Sequence, residues 1–352
     1  MERDRIDAIV RRLNVGATRR GVLGLLAALS GLALEEGEAR GRPKGKRKRK
    51  GAGQQQPGGC GGDGASCTAS TSCCGGLICT SGTCAPSDLQ PPDCIPPTQA
   101  LQGVLDQLPP GAQITLCAGT WQSLHTLLIS KDVTIVGNTN ARPSIIDGGE
   151  LVQVVGVRPN LFVKFENLTI RNGQAEEGAG IFNQGNLTLS DCQVTGNAAR
   201  LGGGIYNQGT LRLFRGAVTG NSVSSESRGY YGGGIYNDGG TVWVTGTAIT
   251  DNKANINESD GEGGGIYTDG GAVMLSNSQV TNNHADTWGG GIYNNGGTVA
   301  IHAGSRVTSN ASISGGGGIY NDDGTVMVPG RSTVTGNSPD NCSGTAVAQC
   351  IG

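Results

Sequence analysis

The chain has 352 residues, 36% hydrophobic and 4% aromatic, which is lean for one packed core of that length. Its net charge of −2 conceals two opposed parts: residues 1–50 hold 14 Lys+Arg against 6 Asp+Glu, leaving 12 basic and 22 acidic groups for residues 51–352. A body with so few, scattered cations lacks the basic stripe that phosphate neutralisation needs, so nucleic acid is excluded as its partner, and 63 Gly with 13 Pro call for a search for a period.

Thr18-Arg19-Arg20-Gly21 leads into the apolar run Val22–Leu34. Thirteen residues are too few to span a bilayer as a helix but suit the apolar core of an export signal. Arg19-Arg20 resembles the twin-arginine signal of bacterial proteins exported in the folded state. The expectation is a signal segment over 1–39, cleaved or retained as an anchor, and an exported, extracellular or cell-surface protein. Arg40–Lys50 carries eight basic residues in eleven. Like-charge repulsion predicts an extended linker over 40–58, with contact to an anionic envelope as a second reading.

Cys60, Cys67, Cys73, Cys74, Cys79 and Cys84 follow in a module over 59–86 that is too small to fold on apolar burial alone. Six cysteines allow fifteen pairings. Zinc is the rival reading, but no CxxC spacing and no nearby histidine support it, so no metal is expected. The spacing C-x6-C-x5-C-C-x4-C-x4-C resembles the knottin pattern. That resemblance implies the pairs Cys60–Cys74, Cys67–Cys79 and Cys73–Cys84. Of the other five cysteines, Cys94 with Cys117 and Cys342 with Cys350 bracket the two ends of the remaining chain. Pairing each couple would staple both ends and leave Cys192 single.

From residue 94 onward a repeat is predicted. Thr98 is a candidate N-cap, and Leu101, Val104, Leu105 and Leu108 recur at helical spacing before Pro109-Pro110-Gly111. Such a helix suits the open end of a solenoid. Strand-like runs follow at Ile114–Trp121, Val133–Val136, Ile145-Ile146, Leu151–Val155, Leu161–Phe165 and Leu168–Ile170. The period is explicit in Ile181, Ile205, Ile235, Ile266, Ile292 and Ile319, spaced 24, 30, 31, 26 and 27 residues apart, with Val347 in a degenerate last turn. Three β-like pieces per period predict three strands per coil over 94–352. The surplus residues at Ser222–Tyr231 and Asn252–Glu262 are expected to leave one edge as loops.

Stacking converts the period into columns about 4.8 Å apart. Val194, Val218, Ile249, Val280, Val307 and Val334 form an inward column, and the asparagines three residues after each form a ladder that satisfies buried polar groups. Asn183, Asn207, Asn237, Thr268, Asn294 and Asn321 form a second ladder, broken once by threonine. The recurring GIFN, GIYN, VTGN and VTNN segments resemble the repeats of polymorphic outer-membrane proteins and of secreted bacterial right-handed parallel β-helix repeat proteins. The fold implied is an all-β, right-handed parallel β-helix with an N-terminal capping helix, preceded by a disulfide-rich module. The resemblance also implies surface exposure or secretion, often adhesion, but no catalytic constellation. No C-terminal transmembrane barrel is expected, and no oligomeric state is legible.

Two site readings follow. Tyr206, Tyr236, Tyr267, Tyr293 and Tyr320, with Phe182, are predicted to face outward as an aromatic stripe, either stacking in register or offering a platform to sugar rings or a protein. This favours a non-enzymatic protein that binds extracellular or envelope polysaccharide, or a surface protein, without a cofactor. The alternative is a polysaccharide lyase or glycoside hydrolase acting on acidic polysaccharide, since parallel β-helices host both. Its candidates are Asp238 and Asp269, expected on adjacent coils about 5 Å apart, near the separation of a retaining glycosidase pair. Calcium would enter only under that alternative. Aspartate before glycine also simply makes turns. His125, His284 and His302 lie at unrelated repeat phases, which suggests no histidine-based site.

Overall fold

The computed structural model describes residues 94–139, 142–223, 229–254, 261–302, 304–345, 347 and 350, and the backbone of two short strands before them. The chain divides between Ala85 and Pro86. Strands Leu77–Thr80 and Thr83–Pro86, which end at that boundary, pair with each other. The export signal, the basic linker and the pairing of the six knottin-like cysteines lie outside the described residues.

The second unit is an all-β parallel β-helix of about eight turns. One coil shows its construction. Thr210–Phe214 runs in the first sheet, Ala217–Thr219 in the second, and Ile235–Asp238 in the third, after which Thr241–Thr245 re-enters the first sheet. Each of the three sheets has nine strands. A fourth ladder of short strands was not foreseen from the sequence. Ser222–Val223 and Tyr230–Tyr231 both pair with Ala198–Leu201 of the preceding coil. Part of each stretch expected as a loop is therefore strand: Ser222–Val223 and Tyr230–Tyr231 in one, Lys253–Ala254 and Gly261–Glu262 in the other.

Alternation accounts for the core. Ile205, Ile235 and Ile266 stack in register and are fully buried, as are Val218, Ile249 and Val280 on the second sheet. Corner residues adopt the left-handed conformation just before each buried asparagine: Gly220, Asp251 and Asn282 have φ of 63°, 57° and 56°. Each asparagine then donates to the next coil's side chain, Asn221 to Asn252 at 3.0 Å, Asn252 to Asn283 at 3.0 Å and Asn283 to Asn310 at 2.9 Å. The triple glycine has steric causes. Gly232 has φ 70°, and a Cβ there would meet the Ile235 carbonyl oxygen at 2.4 Å; at Gly233 a Cβ would lie 2.5 Å from the Lys253 carbonyl.

The coils at the two ends differ from the sequence reading in detail. Helix α1 spans Leu101–Gln107 with Ala100 at its N-cap and no side-chain cap, so Thr98 does not start it. It covers the first strand of the third sheet: the Gln102 amide donates to the Leu128 carbonyl at 3.2 Å and accepts from the Leu128 N–H at 2.8 Å, as a neighbouring strand would. Ile114–Trp121 is two strands, Ala112–Thr115 and Gly119–Gln122, because a coil corner falls between them. Leu151 sits in a turn, and that strand is Val155–Val157. In the last turn Cys342, not Val347, pairs with Ile319. Disulfides join Cys94 to Cys117 and Cys342 to Cys350.

Candidate functional site

The third sheet carries the aromatic column and the carboxylates. Tyr206, Tyr236, Tyr267 and Tyr293 occupy the alternation position facing away from the isoleucine core, in register on successive coils. Their rings stack at 5.1, 5.0 and 4.8 Å, with interplanar angles of 4 to 7°. Phe182 continues the stack at one end and Tyr320 at the other.

The outward platform expected of these tyrosines is not there. The four central rings are only 5 to 7% exposed, and they form a second apolar cluster with Leu201, Tyr231 and Trp288. Tyr231 lies 4.6 Å from Tyr267 and Trp288 4.6 Å from Tyr320. The cause is the fourth ladder and its edge, which bring side chains over a column that three sheets alone would leave open. Flat sugar binding needs a free ring face, and here each face lies against the next coil's ring. Phe182 and Tyr320, at the ends, are half-buried.

Asp238 and Asp269 do pair in register on adjacent coils. Each is also an acceptor for a tyrosine of the coil before it. The Tyr206 hydroxyl donates to Asp238 Oδ2 at 2.7 Å, Tyr236 to Asp269 Oδ2 at 3.4 Å, and Tyr293 to Asp322 Oδ2 at 3.2 Å. Amides add to this: Gln208 donates to Asp238 at 2.9 Å and Asn295 to Asp269 at 3.0 Å. Burial, followed by the nearby carboxylate, pushes the phenols of Tyr206 and Tyr236 well above their ordinary range. The row is thus a set of hydrogen-bond acceptors for the aromatic column. Among the described residues, no group of three or more His, Cys, Asp or Glu is arranged to hold a metal ion.

Two further buried groups lie away from the third sheet's polar row. Cys192 is 3% exposed and belongs to a column that continues as Gly216, Thr247, Ser278 and Ser305, the residues just before the second-sheet strands. Its thiol donates to the Ser190 carbonyl at 3.3 Å, as the Ser278 hydroxyl does to Ser276 at 2.8 Å. Burial pushes that thiol up to about 12. Asp147, the last residue of strand Ser144–Asp147, is buried beside Arg171 at 2.7 Å. Burial raises its carboxyl, but hydrogen bonds from the Gly149 N–H, Arg171 and Asn172 outweigh it and hold the group below its ordinary value.

With the geometry established, the chain can be set beside known proteins. The repeat model described as Chlamydia polymorphic membrane protein repeat matches residues 277–295, a segment that runs through QVTNN into GGGIYNN. No curated protein sequence matches the chain. Among solved structures, pectate lyase Pel9A is similar at a TM-score of 0.44 and 12% identity, over 70% of this chain and 79% of that one. The chain is a parallel β-helix repeat protein. Nothing about its chemistry follows from that lyase.

Proposed function

We propose that the protein is an exported, non-enzymatic β-helix that binds extracellular or envelope glycan through the accessible polar row beside its tyrosine column. The observation that carries this reading is the commitment of the candidate carboxylates. Asp238, Asp269 and Asp322 each accept a tyrosine hydroxyl one coil away, an arrangement repeated along the column rather than converging on one reacting bond. Two disulfides at the ends of the helix support an oxidising, extracytoplasmic location.

The row Gln184, Gln208, Asp238, Asp269, Asn295 and Asp322 lies at the third-sheet edge and repeats at the coil spacing. With 22 acidic against 12 basic groups in residues 51–352, it favours neutral or amine-bearing glycans over acidic ones. A glycan array with the full chain tests this. Binding should fall in Gln208→Ala and Asn295→Ala, and binding only to uronic-acid polymers refutes the reading. Release of reducing ends or unsaturated uronides from a polysaccharide panel, with or without calcium, lost in Asp238→Asn or Asp269→Asn, would establish the enzyme instead.

A further inference from the structure

The tyrosine column has a chemistry that binding does not use. Successive rings from Phe182 to Tyr320 lie 4.8 to 5.2 Å apart, so the stack is continuous across six coils. At neutral pH a phenol loses an electron readily only if its proton leaves too. The carboxylates beside Tyr206, Tyr236 and Tyr293 stand where that proton would go. The central rings are shielded from water, and Trp288, half-buried 4.6 Å from Tyr320, gives the stack a reachable end.

We propose that this column relays one-electron oxidising equivalents along the solenoid axis, from Tyr206 toward Trp288. An external one-electron oxidant takes an electron from Tyr206 and is itself reduced, while the phenolic proton passes to Asp238. The resulting phenoxyl radical takes an electron from Tyr236 and recovers its proton from Asp238, and Tyr236 gives its own proton to Asp269. Tyr267, which has Asn295 and no carboxylate at the equivalent place one coil on, keeps its proton and bridges the next transfer through its ring: the Tyr236 radical takes an electron from Tyr293 and recovers its proton from Asp269. Tyr293 passes its proton to Asp322. Trp288 supplies the final electron through the ring of Tyr320, which keeps its proton; Tyr293 recovers its proton from Asp322, and half-buried Trp288 is left as an indole radical that releases its N–H proton to water. This relay is independent of glycan binding.

The test places the oxidant at one end and reads the other. In Gln184→Cys the full chain is labelled with a ruthenium polypyridyl complex at that exposed position. Peptide mapping confirms a single label, and Cys192 is buried. Illumination with a sacrificial electron acceptor generates the oxidant, and peptide mass spectrometry quantifies oxidation at Trp288. The labelled chain should oxidise Trp288. Adding Tyr236→Phe, which keeps the stack but removes the phenol, should lower that yield about tenfold, as a barrier higher by about 1.4 kcal/mol would. Undiminished oxidation of Trp288 in that variant, or equal oxidation by the untethered complex at the same concentration, overturns the relay. If Tyr236→Phe fails to fold, Asp269→Asn, at an exposed position, carries the test: a lower yield supports the relay and an unchanged one overturns it.

Discussion

Replacing Thr268 by asparagine should make the protein more stable. Thr268 interrupts the ladder that runs from Asn183 through Asn207 to Asn237, each side chain donating to the next at 2.7 Å and then to Thr268 at 3.1 Å. Threonine has one donor, and it is used on the Gly270 carbonyl at 2.6 Å. Asn294, on the next coil, donates onward to Asn321 at 2.7 Å, but its own Oδ1 is buried without a donor. An asparagine at 268 has two N–H donors, one for the local glycine carbonyl, as at Asn237 and Gly240, and one for Asn294 Oδ1. A buried acceptor left unsatisfied costs about 1–3 kcal/mol, so Thr268→Asn should recover about 1–2 kcal/mol once local repacking is counted. Urea unfolding followed by circular dichroism should show a higher midpoint with an unchanged slope. Thr268→Val, which removes both the donor and the acceptor that Asn237 uses, should lower the midpoint. If Thr268→Asn is no more stable than the parent, the ladder is not limited by its missing donor and the reasoning fails.

Gly233→Ala should cost about 2–3 kcal/mol or more in the same unfolding assay, because its Cβ would press on the backbone of the coil above, whereas Gly239→Ser, with open space around its Cβ but φ of 66°, should cost only the milder penalty of a strained turn. Cys192→Ser should fold with little loss, within about 1 kcal/mol, since serine already fills this column at 278 and 305. In the native parent, a maleimide at pH 8 should leave Cys192 unlabelled, because a thiol at about 12 is protonated there and also buried; rapid labelling without unfolding contradicts this. The lowered carboxyl of Asp147 implies stability that is present above the ordinary carboxylate range and lost as pH falls through the folded value. Asp147→Asn should therefore be less stable than the parent at pH 7, with the gap closing toward pH 2 in a pH series of melting curves.

The repeat is legible in the chain alone. The spacing of Ile181 to Ile319 sets the coil, strict alternation sends Ile235 to the core and Tyr236 away from it, and three positions after each column valine an asparagine closes a buried corner. These are local rules, written within a few residues of each other and repeated until they cannot be missed. The repeat also places Asp238 and Asp269 on neighbouring coils, because register follows directly from phase. Contacts between distant residues set what lies beside a column rather than within it. Tyr231 and Trp288 stand at different phases from the tyrosines they touch, so no period announces that they cover the stack. The aspartates accept from tyrosines of the preceding coil, a diagonal relation that depends on side-chain reach. Cys192 reads as an odd thiol until stacking sets it in line with Thr247, Ser278 and Ser305. Alternation is a property of the chain, but closure of the coil, and with it the burial of the outward tyrosines, arises only when the fourth ladder brings distant side chains across the sheet edge.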